Sequence, residues 1–453
     1  MYSILFLVLV VSFWTPLCLP SGTVESLCRA RIKKKKKKEY FSMLEPIRKF
    51  GLGYCDLPTM LWNVAFLLRG ITLNIDSRHK KRIPFILYVI TVVITLSYFY
   101  VFLVSMAWFV FIRSPQTGDL LAAMVVLSLG ISSEIGTLKF FYTFVYIKKV
   151  QEIVKEYLVC DALIVPGSRF SQNLLRALRQ VKKRAIIYWL VIIINGITYV
   201  TKPLFLRGRH HMEDRYVIYG LEPMFDTPNY EMAYFLMTAG LCFICYPPAN
   251  VTVFLIVVVG YTEAQMLALS KELLCLWGDA NKHYEQKIKS NESVATDFDK
   301  NRIINDYVRY RLNEIIKMHA INIHLVRQVE FVFRGAIAIG YVFLTLGLIA
   351  ELLGGLENTY LQIPFALIQV AVDCYTGQKV TDASLTFERS VYDCKWENFD
   401  KMNMKTVLLL LQNSQKTMTL SAGGITMLNF SCLMSVIKSI YSAYTTLRTT
   451  MKN

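Results

Sequence analysis

Long uncharged runs alternate with charged stretches along the 453 residues, and the runs recur at intervals expected of membrane spans separated by loops. Seven stretches qualify: 84–112, 120–147, 185–205, 232–261, 331–353, 360–375 and 420–444. All but the sixth are long enough to cross a hydrocarbon core of about 30 Å. The sixth is short as an uncharged run, and reaches spanning length only if its helix continues into the polar stretch after Asp373. Between the fourth and fifth spans, residues 262–330 hold ten acidic and ten basic side chains among recurrent apolar positions. That pattern predicts amphipathic helices extending both spans out of the membrane, with 281–299 as a flexible tip.

The last span has a second periodicity. Ser431, Ser435, Ser439, Ser442, Thr446 and Thr450 follow steps of 4, 4, 3, 4 and 4, which places them within an arc of roughly 100° on a helix. A greasy side carries Phe430, Leu433, Met434, Ile437, Tyr441 and Tyr444. Small hydroxyls in a span either bond back to their own helix and permit close packing, or face water.

Composition agrees with a membrane protein: 54% of residues are hydrophobic and 18% charged, against about 25% charged in a soluble domain. The basic residues that give the net charge of +17 lie in a tract at 29–38 and beside the spans, so anionic lipid, not nucleic acid, is the expected partner. Lys and Arg number fifteen in 29–82, nine in 145–184, ten in 262–330 and five in 374–405. The alternate loops hold one (Arg113), three (Arg207, Arg209, Arg215) and none. The positive-inside rule then predicts an all-α membrane protein of seven transmembrane helices, with a cytoplasmic N-terminus and an extracellular C-terminus. Residues 4–12 and Leu19-Pro20-Ser21-Gly22 look like a secretory signal. Export of the adjoining lysine tract would contradict the charge pattern, so residues 1–42 are expected to lie outside the fold, with translation starting at Met43.

Catalytic constellations are absent from the sequence: it has no HExxH, GxSxG, phosphate-binding glycine loop or zinc spacing. No enzyme activity, cofactor or metal is expected. None of the ten cysteines falls in an outward loop, and Cys242-x-x-Cys245 sits mid-span, where packing is its expected role. His210 and His211 are expected in a solvated outer loop. Asp214-Arg215-Tyr216 resembles the DRY motif of G-protein-coupled receptors but lies on the wrong side of the membrane, and no NPxxY follows in the last span. Glu134, Lys139, Arg334 and Lys438 are charges within spans, so each serves either packing or gating and permeation. Glu134 and Lys139, five apart, are not spaced for a strong intrahelical pair.

Cys374, Gly377, Ser384, Tyr392 and Trp396, then Gln412, Gln415, Ser421-Ala422-Gly423-Gly424 and the run 441–448, resemble the insect odorant receptor family. Upstream, Leu52-Gly53-Tyr54-Cys55-Asp56 with Pro58, and the segment 221–231, are similar to its moth sex-pheromone branch. The resemblance covers about 43–452. It implies a ligand-binding subunit of an odorant-gated, here pheromone-gated, non-selective cation channel, assembled as a heterotetramer with a shared co-receptor subunit in the plasma membrane of olfactory dendrites. It further implies that the last helix (within 420–453) lines the pore with Ser442, Thr446 and Thr450, the gate falling near Thr446 and Thr450, where the co-receptor carries aliphatic residues. Trp396, the helix 402–412 and parts of 262–330 and 374–419 would anchor subunits to one another. Moth pheromones are long-chain alcohols, aldehydes and acetates, requiring an apolar slot with one or two donors. Residues at that depth are Met124, Leu127, Tyr199, Tyr234, Phe235, Met237, Tyr360 and Phe365. A metabotropic seven-helix receptor is the alternative. A gustatory-type receptor is another, but its last span should carry Thr-Tyr and a downstream Gln-Phe, whereas Tyr444-Thr445 stand in reverse order here.

Overall fold

The computed structural model describes residues 49–78, 82–290 and 297–452, leaving aside the side chains of 290, 297–299, 356 and 450–452. The expectations for residues 1–42 lie outside the described residues.

Helix α1 (Leu57–Arg69) starts where Asp56 accepts a hydrogen bond from Thr59 N (3.0 Å), with Pro58 in the first turn. This is a strong N-terminal signal, because Asp satisfies an orphan amide and proline has none to leave unsatisfied. The Lys182 ammonium sits among the carbonyls of Lys49, Gly51 and Tyr54, and so straps the segment before α1 to the bundle.

Among the described residues, five helices are long and apolar enough to cross a membrane: α2 (Phe85–Thr117), α3 (Leu120–Val145), α5 (Arg169–Phe205), α6 (Asn229–Ser290) and α7 (Asp297–Leu353). Between α3 and α5 lies the amphipathic α4 (Ile147–Ala162). Helix α8 (Gln362–Tyr392) and helix α10 (Phe430–Lys452) complete seven, and α9 (Lys401–Ser414) lies between them. The sixth span thus reaches its length by running on past Asp373. At 62 and 57 residues, α6 and α7 are about 90 Å long and project far beyond a bilayer core. They also take in most of 281–299, predicted as a flexible tip: α6 runs to Ser290 and α7 starts at Asp297, and 291–296 lie outside the described residues.

In the projecting part, Arg169 bridges Glu272 (2.7 Å) and Asp279 (2.5 Å), Arg311 also reaches Glu272 (3.0 Å), and His319 stacks on Phe387 of α8 at 4.6 Å. Burial pushes the His319 imidazole down to about 4, so it packs as a neutral ring.

The last span starts later than its apolar run suggests. Residues 420–429 are not helical throughout: β1 (Ser421–Ala422) pairs antiparallel with β2 (Thr426–Met427). Gly423 and Gly424 both take positive φ (65° and 78°), and in the three-residue loop 423–425 they form a left-handed turn closed by Ile425 N donating to the Ala422 carbonyl (3.1 Å). Gly423 N donates to the Arg334 carbonyl (2.9 Å) and Ser421 donates to Glu330, so the hairpin is clipped to α7. Ser384 of α8 accepts from Met418 N (3.1 Å) on the approach to the hairpin. The hairpin ends the apolar run as a span, and α10 begins at Phe430.

Candidate ligand pocket and outward helix face

In the outer half of the bundle, α3, α5, α6 and α8 enclose a void of about 30 Å³. Its walls are apolar at Leu129, Leu241, Ile244 and Phe365 and polar at Ser132, Asn195, Tyr199 and Gln362. A second void of about 40 Å³, lined by Ile193, Ile197, Val200 and Cys242, shares Gly196, Leu241 and Cys245 with the first. A third, about 10 Å³, shares Leu129 and Tyr199 and is closed by Met212, Glu213 and Tyr216 of the loop before α6. Gly196 lines both of the first two, and a Cβ there would stand 2.8 Å from Cys245 Sγ.

Tyr199 and Phe365 face the first void, and Met237 and Tyr199 the third. Tyr234 donates to the Val200 carbonyl (2.8 Å) and pins α6 to α5. Phe235 and Tyr360 are 49% and 50% exposed on the outside of the bundle. Met124 and Leu127 are half-buried and line none of the three voids. Depth and residue type overlooked Asn195, Gly196 and Gln362; uncharged amides inside an apolar run were the available signal, since each must find a partner in the membrane.

Below the void stands a buried ion pair. Lys139 Nζ lies 2.6 Å from Asp373, with the side chains 2% and 3% exposed. Glu134 pairs elsewhere, accepting from Tyr98 of α2 and from Thr137 (3.2 Å). The two charges five residues apart on α3 therefore serve different neighbouring helices.

The greasy side of α10 differs in part from the simple wheel. Leu433, Val436 and Ile440 pack on Ile135, Leu344 and Val370, whereas Phe430, Met434 and Tyr441 are exposed. Ser431, Ser435, Ser439, Ser442 and Thr446 face away from the bundle, with the Lys438 side chain exposed beside them. Ser439 and Thr446 also bond back to the carbonyls of Ser435 (2.9 Å) and Ser442 (3.0 Å). Thr450 continues the helix, its side chain outside the described residues. On the α9 side, Trp396 follows Lys395 in a left-handed turn and is partly exposed, and Tyr392, Met402, Leu408 and Leu409 are exposed as well.

The loop before α6 is folded, which corrects the expectation of two solvated histidines. His210 is at the surface, bonded to Asp214 (2.7 Å) and the Arg207 carbonyl (3.0 Å), and Asp214 foremost raises its pKa. His211 is buried against Phe225 and Tyr230, and Asp214 Oδ1 accepts from its backbone amide (2.7 Å). Burial lowers the His211 pKa, opposed by the Met224 carbonyl and Asp214. A lowered pKa means that its contribution to loop stability is complete above the ordinary value of about 6.5 and is lost as pH falls through the lowered one. His210, raised, acts in the opposite sense, its contribution being lost as pH rises. Protease cleavage within 206–228 should therefore accelerate from about pH 7.5 to about pH 5.5, and His211→Phe should remove most of that acceleration. An equal acceleration in the variant would exclude His211 as its source.

Among the described residues no group of three or more His, Cys, Asp or Glu side chains could hold a metal ion. A family model described as 7tm Odorant receptor matches residues 119–441, from the N-cap of α3 into α10. The chain belongs to the insect odorant receptor family. As an odorant receptor it has the seven-helix all-α fold with an inward N-terminus and outward C-terminus, in agreement with the basic flanks. It is 26% identical over 167 residues to Odorant receptor 30a of Drosophila melanogaster, a match covering 36% of this chain and 43% of that relative's length. Among solved structures, the olfactory receptor OR5 of Machilis hrabei superposes with a TM-score of 0.67 at 13% identity, covering 86% of this chain and 98% of that one. The same receptor in complex with eugenol gives 0.67 at 12% identity, over 87% and 98%. Those likenesses are of fold.

Proposed function

We propose that this odorant receptor is the ligand-binding subunit of a pheromone-gated, non-selective cation channel, assembled with the shared odorant co-receptor in the plasma membrane of olfactory dendrites. The observation that carries the reading is the mostly apolar void with polar side chains on its wall, which shares Gly196, Leu241 and Cys245 with a second apolar void. The shape suits an elongated, volatile, hydrophobic molecule with one polar group, such as a long-chain alcohol, aldehyde or acetate. Tyr199, Phe365 and Met237 line the proposed path. Tyr234 supports it through α5, Met124 and Leu127 lie on the α3 wall's flank, and Phe235 and Tyr360 mark its outer rim.

The void of about 30 Å³ is far smaller than such a ligand's site of about 300 Å³ or more. Occupancy therefore has to separate α3, α5, α6 and α8, and a ligand favouring the separated state biases the equilibrium toward it. Helix α8 carries the displacement to α10. The outward hydroxyl stripe of α10 would face a central ion path at Ser442, Thr446 and Thr450, and the apolar group around Trp396 and α9 would dock on a neighbouring subunit.

Two substitutions test the reading in cells expressing the chain with the co-receptor. Gly196→Val should abolish ligand-evoked current while protein still reaches the surface, because its side chain stands on the wall that both voids share. Thr446→Leu should change conductance or ion selectivity and leave the order of ligand potencies intact. Wild-type responses in the first variant would move the ligand elsewhere, and unaltered currents in the second would remove the stripe from the ion path.

A further inference from the structure

Two cations converge on one aromatic ring at the cytoplasmic edge of the bundle. The Arg184 guanidinium of α5 stands 5.6 Å from the centre of the Tyr375 ring of α8, and the Lys379 ammonium 5.5 Å from it. Both helices give the cluster the same depth: Arg184 directly precedes the third apolar run, 185–205, and Tyr375 closes the sixth, 360–375. With the N-terminus inward, these ends lie at the inner leaflet. Tyr375 also meets Phe430, the first residue of α10, with ring centres 6.0 Å apart.

The charges around the ring do not balance. Glu263 of α6 accepts from Arg184 Nη2 (2.6 Å), and Arg184 Nε is buried without a hydrogen-bond partner. Among the described residues Lys379 forms no ion pair; Asp382, a turn further along α8, accepts from Gln378 Nε2 instead (2.7 Å). Asp373 is taken by Lys139. Two cations therefore share one carboxylate, which leaves a surplus positive charge. The cluster is within reach from outside, since the Arg184 side chain is 20% exposed and Lys379 and Tyr375 are half-buried. Towards the membrane centre from Arg184, Ile187, Val191 and Ile194 are exposed, and their spacing puts them on the same side of α5.

We propose that Arg184, Tyr375 and Lys379 bind the headgroup phosphate of an anionic phospholipid in the cytoplasmic leaflet. Basic pockets between spanning helices on that side suit such headgroups, because the leaflet is itself negative and the charge is only partly screened there. The guanidinium presents a planar fork of N–H donors to phosphate oxygens, and the lysine, on its flexible stem, closes on them as a second point charge. Without lipid, Lys379 rests on the ring face, which attracts a cation less strongly than phosphate does. The acyl chains lie along Ile187, Val191 and Ile194. Through Tyr375 the headgroup abuts the start of α10, and the site is independent of the ligand void.

The test uses the full chain assembled with the co-receptor in phosphatidylcholine nanodiscs, and a phosphatidylinositol carrying a photoactivatable group beside its glycerol. Illumination should label the stretch 371–383 of this chain, read by peptide mass spectrometry. Unlabelled phosphatidylinositol should compete; extra phosphatidylcholine and inorganic phosphate should not. Lys379→Gln should raise the probe fraction needed for half-saturation about fivefold, whereas Lys379→Arg, which keeps the charge, should leave it unchanged.

Half-saturation at the same probe fraction in Lys379→Gln and wild type would make the contact adventitious and overturn the proposal. Competition by inorganic phosphate would show a site for a free anion, and equal competition by phosphatidylcholine would show no selection for anionic lipid; either result also overturns it, as does labelling of this chain only outside 371–383. If Lys379→Gln does not assemble, the competition series on the wild-type complex decides.

Discussion

Lys139→Met should lower the stability of the protein by about 3–5 kcal/mol and prevent most of it from reaching the cell surface. The substitution keeps the length of the side chain but leaves the Asp373 carboxylate alone in a site where both partners are almost fully buried. Removing one partner of a buried pair costs more than removing both, because an uncompensated charge remains. The double variant Lys139→Met, Asp373→Leu should therefore recover much of the loss, which thermal unfolding in detergent would register. Equal destabilisation of single and double variants would show that packing, not charge pairing, sets the cost. The location bears on mechanism: the pair joins α3 to α8, two of the four helices around the proposed ligand void. If ligand entry separates these helices, the double variant, once folded, should respond at lower ligand concentration than wild type.

Gly377→Ala should cost about 1–3 kcal/mol and uncouple ligand from current in the protein that survives. A Cβ at Gly377 would stand 2.4 Å from the Leu428 carbonyl oxygen and 2.7 Å from Leu428 Cβ. The obstacle is backbone, so it has no rotamer with which to give way. Either α8 or the strand leading into α10 must move, although the hairpin is held on α7 by Gly423 and Ser421. The expected result is surface-delivered receptor with little or no evoked current, measured against an unchanged Gly278→Ala control, where nothing lies within 4 Å. Normal current in Gly377→Ala would place the α8–α10 contact outside the coupling path.

Several motif residues acquire physical reasons in the fold. Asp56 and Pro58 start α1, Gly423 and Gly424 turn the hairpin, Ser384 holds the approach to it, and Gly377 admits its return strand. As a sequence pattern they indicated the family and not their tasks, because the task of each depends on a partner far along the chain. The hydroxyl periodicity of the terminal helix was legible as a face, but its outward direction was not. That depended on Leu433, Val436 and Ile440 finding a groove beside Ile135, Leu344 and Val370. Choosing ligand residues by depth was weaker still, since depth says nothing about azimuth: Phe235 and Met237, two positions apart, point to opposite sides of α6.

The sequence by itself determined the membrane class, the order of the spans and their orientation, though not where the last one begins. Hydrophobic length and flanking charge act locally, on each segment as it meets the bilayer. Only the tertiary structure decided which polar side chains meet. Lys139 finds Asp373 and Ser128 finds Gln362, each 234 residues away. It also decided that Asn195, Tyr199 and Gln362 line one void. In the membrane every buried polar group needs a partner, and with many side chains to choose from, only the packing of the helices determines which groups are satisfied and which remain for a ligand.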